Sequence, residues 1–85
     1  MTNKETKKRF NSAAASYIMG NMPSVEVVGS PKKISVVREV LQASRNLYEE
    51  LQSSNTNLAR VIALLEKKRV AARAFHESVG VEWVL

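Results

Sequence analysis

The chain has 85 residues, with 13 Lys and Arg against eight Asp and Glu for a net charge of +5, one histidine and no cysteine. That length allows one small domain, whose single core is marginal without staples or oligomerisation. Without cysteine there are no disulfides, thiolate metal sites or cysteine nucleophile, and a lone His76 builds neither a metal centre nor a triad. A reducing, cytoplasmic setting is the simpler expectation, and the cationic surplus points either to an anionic partner or to solubility alone.

The N-terminal stretch, MTNKETKKRFNSAAASYIMG, is basic and then weakly apolar. Asn11, Ser12 and Ser16 interrupt the apolar part, so it does not read as a signal peptide, and nothing in the chain approaches the ~20 apolar residues of a membrane span. The spacing predicts a helix over 1–19. Thr2 and Glu5 fit a capping box, Gly20 offers a left-handed stop, and Phe10, Ala13, Ala14, Tyr17 and Ile18 share one face. Lys4, Lys7, Lys8 and Arg9 oppose the dipole of that helix, as either a solvated end or an anion-facing patch beside Phe10.

Residues 20–30, GNMPSVEVVGS, form a linker. Pro23 turns Met22 away from helix, and VEVV is β-branched and alternating. After Gly80 the tail VEWVL repeats the pattern. Short extended segments are expected at 24–28 and 81–85, able to pair with each other or with another chain.

A second helix is predicted over 31–52, capped by Ser30 with Pro31 in its first turn. Its apolar residues cover roughly half the circumference, more than a two-stranded coiled-coil seam needs, so it calls for two neighbours. A third helix, over 55–79, carries an equally broad apolar face from Leu58 to Val79. Lys68 falls near the middle of that face and must snorkel, pair or meet a ligand.

Between them, LQSSNTNLA is either a turn or the middle of one long helix. A 4-3 register does run unbroken from Ile34 to His76 and puts Asn55 at an "a" position. Tyr48, Arg69 and His76 also fall at "a", however, and Ser44 at "d", which makes a poor zipper. The Ser-Ser-Asn-Thr-Asn run favours caps and turns, with Ser54 or Asn55 able to cap the third helix. The fold expected is therefore all-α: one domain, 1–85, with a short N-terminal helix and a long antiparallel helical hairpin. Uncovered apolar surface, including the valine-rich linker and Trp83, predicts a homo-oligomer.

The chain lacks a phosphate loop, a His–Glu metal helix and a Ser–His–Asp set, so no enzyme, metal or cofactor is expected. EKKRVAARAF is similar to the basic region of a zipper protein, but it follows the apolar register where a basic region would precede it. A small anionic ligand is better served. Phe10 or Tyr17 offers a stacking face, Lys32 and Lys33 stand in the first turn of a helix, and Lys68, Arg69 and Arg73 lie on the third. The turn matters here: one straight helix would hold the two basic sets ~50 Å apart, whereas a hairpin brings them to one end.

With ISVVREVLQASRNLYEEL and LARVIALLEKKRVAARAFHES as its hairpin helices, the layout resembles the phage anti-CBASS sponges, which sequester cyclic oligonucleotide immune signals. The resemblance covers roughly residues 30–78. It implies a hexamer in the host bacterial cytoplasm, with cyclic dinucleotides between protomers on Tyr17 or Phe10 and held by Lys32 or Lys33. It further implies a cyclic trinucleotide site drawing on Arg69 or Arg73. The linker VEVVGSPKK departs from the family and leaves the choice of aromatic and lysine open. The rival reading is a small helical inhibitor or adaptor whose partner is a host protein.

Overall fold

In a computed structural model, the structure describes residues 3–85, with side chains from Phe10 onward. The expected Thr2–Glu5 capping box and the Lys4, Lys7, Lys8 and Arg9 side chains lie outside the described set. Three helices follow one another: α1 Asn3–Ile18, α2 Pro31–Gln52 and α3 Leu58–Val79. The hairpin of α2 and α3 is the spine, and α1 packs along α2.

Each boundary has a local cause. At the end of α1, the Asn21 amide bonds the Ser16 carbonyl and the Gly20 amide bonds that of Tyr17, with Gly20 at φ 82°. This crossed pair is the Schellman closure, which a residue without Cβ adopts at least cost. Ser30 caps α2 by accepting from the Lys33 amide, and Pro31 occupies the first turn.

LQSSNTNLA is a turn. Asn57, rather than Ser54 or Asn55, caps α3, its side chain accepting from the Arg60 amide at 3.2 Å. The third helix therefore starts at Leu58, three residues later than expected. Glu50 organises the turn from the end of α2. Its carbonyl accepts from the Ser53 amide and the Thr56 hydroxyl, while its carboxylate accepts from the Asn57 amide at 3.1 Å and faces Arg60 at 3.5 Å. Asn55 sits in this turn, where its amide bonds Ser53 Oγ; it sets no coiled-coil register.

The core is small. Ala14, Val37, Val40, Leu41, Ala71 and Phe75 form its buried cluster, and among its large side chains only Val40 is wholly enclosed. Among the described residues α1 makes no helix-to-helix contact with α3, which leaves a gap that the tail fills. The Trp83 ring meets Phe75 edge-on at 5.1 Å and Phe10 at 6.3 Å, and its Nε1 donates to Ser44 Oγ at 3.0 Å. That bond settles why a serine can sit 2 % exposed in the hydrophobic face of α2. Lys68 is answered in the same way: its ammonium donates to the main-chain oxygen of Leu85 at 2.8 Å.

This corrects one expectation. Trp83 and the valine-rich linker were expected to be left over for a second subunit. Val25, Val27, Val81, Trp83 and Leu85 instead pack against the chain's own core. Neither 24–28 nor 81–85 forms a strand among the described residues, because packing of alternate side chains into the core does not bring the two backbones into a ladder.

Much apolar surface nevertheless stays open. The accessible area is 6219 Å², against about 5,000 Å² for a compact 9.5 kDa monomer. Part of it lies toward the hairpin turn. Leu58 is 73 %, Ile62 60 %, Leu65 53 % and Leu51 54 % exposed, all near the turn, where neither α1 nor the tail reaches.

Candidate functional site

At the end of the bundle away from the turn lies a cleft of about 930 Å³, within the range of ligand pockets. Four parts of the chain wall it. Helix α1 contributes Phe10, Asn11 and Ala13, and the linker contributes Val25, Glu26, Val27 and Val28. The opposite helix ends supply Lys33, Phe75 and Val79, and the tail supplies Val81, Glu82, Trp83 and Val84. The walls are largely apolar, and among the described residues the charged groups on them are two carboxylates and one ammonium.

The site exists because two glycines release the chain from helix. Gly80 closes α3 at φ 84° with its amide bonded to the His76 carbonyl. The tail can then double back so that Trp83 reaches α1, α2 and α3 together. Without that reversal Phe10 and Phe75 would face an open groove.

The seven residues singled out in the sequence divide sharply. Phe10 and Lys33 come together as walls of the cleft, and Tyr17 and Lys32 do not line it. Tyr17 is engaged inside the chain: its hydroxyl donates to Gln42 Oε1 at 3.0 Å, and the Arg45 guanidinium stands 4.8 Å over its ring. Lys68 is bound to the tail, as above. Arg69 is held by Glu66 through two contacts, at 3.0 Å and 2.6 Å. Lys32 and Arg73 are exposed and make no ion pair among the described residues. Neither they nor Arg69 line the cleft, so the hairpin does not gather the basic residues into one pocket within a single chain.

The shifted ionisations are surface pairings. The hydrogen bond from Arg69 holds the Glu66 carboxyl below its usual range, and Glu66 in turn raises Arg69. Arg45 is raised by its bond to Glu49 first and by Tyr17 second. None of these groups lines the cleft. Among the described residues no group of three His, Cys, Asp or Glu is placed to hold a metal ion, and no helix is long and apolar enough to cross a membrane.

Compared with family models, curated proteins and solved structures, the chain matches none.

Sequence reasoning missed three parts of the site. Glu26 and Glu82 were read only as members of alternating segments, yet they stand on two walls of one cleft. Trp83 was assigned to a partner because nothing local says which helix a five-residue tail will meet. The shared pattern Val-Glu-x-Val at 25–28 and 81–84 was the signal available, since two like segments flanking a hairpin invite a common location.

Proposed function

We propose that the protein is a non-enzymatic interaction module that assembles with itself through its hairpin tip and binds another polypeptide as an adaptor or inhibitor. One observation carries this reading: the uncovered stripe of Leu58, Ile62 and Leu65, one helical face at i, i+4 and i+7, continued by Leu51 across the turn. An open patch at one end of an elongated molecule, 43 Å in its longest dimension, is costly unless something covers it.

Charge agrees with a second copy there. Arg69 and Arg73 follow the apolar stripe along the same face of α3, toward the opposite end. Antiparallel tip-to-tip docking therefore buries leucine and isoleucine while holding the cationic halves apart, which limits repulsion between chains of charge +5. Light scattering across 10–100 µM protein tests the proposal, with Ile62→Glu as the variant. Self-association that Ile62→Glu abolishes while helicity stays constant supports it; a wild-type monomer contradicts it.

A second reading keeps the cyclic oligonucleotide ligand in a cytoplasmic host. It is favoured by the meeting of Phe10 and Lys33 in one cleft, an aromatic face beside an ammonium. It ranks second because Glu26 and Glu82 share that cleft and repel phosphate, and because Tyr17, Lys68 and Arg69 are already engaged within the chain. Isothermal titration with a panel of cyclic di- and trinucleotides separates the two. Sub-micromolar binding lost in Lys33→Glu would reverse the ranking.

A further inference from the structure

The two segments that wall the cleft share an uncommon combination. Exposure alternates along both: Val25 and Val27 are half-buried while Glu26 and Val28 are exposed, and Val81, Trp83 and Leu85 are half-buried while Glu82 and Val84 are exposed. That is the period of a β-strand with one face packed. Yet among the described residues no main-chain amide or carbonyl of 24–28 or 81–84 makes a hydrogen bond to another part of the chain. Val28 and Val84 stand 90 % and 71 % exposed. Each segment thus has a packed face and a main-chain edge without a partner, as an unpaired edge strand does.

We propose that this cleft is a docking site for an extended peptide of another protein, one that alternates apolar and basic side chains. Such a peptide supplies what both segments lack. Its backbone pairs with their unpartnered edges, every second side chain enters the apolar floor beside Phe10 and Trp83, and the intervening ones lie with Glu26 and Glu82. Charge selects this occupant over the two others. A second copy adding its own 25–28 or 81–84 segment would set glutamate against glutamate, which is unfavourable across a strand pair. A cyclic nucleotide would set phosphate against the same two carboxylates. Among the described residues Lys33 contributes the one opposing charge, near the start of α2, and does not offset both. The site is distinct from the hairpin tip, so it goes beyond the assembly proposed above and does not depend on it.

Nuclear magnetic resonance on the full isotopically labelled chain tests this. The probes are the capped peptides acetyl-Val-Lys-Val-Lys-Val-amide and acetyl-Val-Glu-Val-Glu-Val-amide, with a cyclic dinucleotide as a third titrant. The basic peptide is expected to shift and protect the amides of 24–28 and 81–85. The acidic peptide should bind at least about tenfold more weakly, a difference of about 1.4 kcal/mol, and Glu26→Lys with Glu82→Lys should invert that order. Tip variants such as Ile62→Glu should leave binding unchanged, which separates failure here from failure of the assembly reading. No response to the basic peptide at millimolar concentration overturns the proposal. So does equal binding of both peptides, or a cyclic dinucleotide shifting the same amides more tightly.

Discussion

Removing the indole of Trp83 should unfasten the tail and cost a large part of the fold's stability. A tryptophan side chain covers 150–250 Å². Trp83 is half-buried, so Trp83→Ala returns about 75–125 Å² of apolar contact to water, or roughly 2–3 kcal/mol at 25 cal/mol/Å². Loss of the Nε1 bond leaves Ser44 Oγ buried without its partner, adding about 1 kcal/mol. The sum, about 3–4 kcal/mol, is set against a total of roughly 4–13 kcal/mol for a chain this size. A drop of some 15 °C or more in Tm follows. Urea unfolding followed by far-ultraviolet circular dichroism reads the change, because the variant has lost the chain's one tryptophan fluorophore. Trp83→Phe keeps a ring against Phe75 and should lose only about 1–2 kcal/mol. In the wild type, emission should be blue-shifted and should move red before the helices melt if the tail leaves first. A loss below about 0.5 kcal/mol for Trp83→Ala, the scale of a surface change, would show that the tail is not docked and that the cleft lacks one wall.

The remaining expectations concern the turn, the helix end and the surface pair. Glu50→Ala removes the acceptor of the Asn57 amide and should cost about 1 kcal/mol, with faster amide exchange at 53–58; Arg60→Ala, an exposed guanidinium 3.5 Å from Glu50, should cost under about 0.5 kcal/mol. Gly80→Ala forces a side chain into φ 84° and should cost about 1–2 kcal/mol by urea titration. Glu66 has a folded pKa below its unfolded value, so its contribution is present above pH ~4.3 and is lost as pH falls through the folded value. A carboxyl titration by nuclear magnetic resonance should find Glu66 below its ordinary range and restored toward it in Arg69→Gln.

What the sequence disclosed was what local chemistry decides. Ser30 and Pro31 opened α2, Gly20 and Gly80 closed α1 and α3, and the Ser-Ser-Asn-Thr-Asn run made a turn, because caps and turns draw on residues a few positions away. The breadth of both hairpin faces likewise told that each helix needed more than one neighbour. The hidden parts are those that depend on distant partners. Nothing near Trp83 says that it will meet Ser44, 39 residues earlier. The ammonium of Lys68 could be placed on the apolar face from spacing, but its answer, the Leu85 carbonyl, comes from the tail. The basic residues misled for the same reason: helical spacing shows that Lys33 and Arg69 share one half of the hairpin, while the direction each faces depends on how α1 and the tail settle on it.

We propose the hairpin tip as an interface between copies of this chain. Sedimentation equilibrium of the wild type and Ile62→Glu, at the same concentrations and ionic strength, measures it most directly. The wild type should give at least twice the 9.5 kDa chain mass, and Ile62→Glu should return a monomer with unchanged helicity. A wild-type mass of one chain at 100 µM, or an oligomer that Ile62→Glu leaves intact, would contradict it.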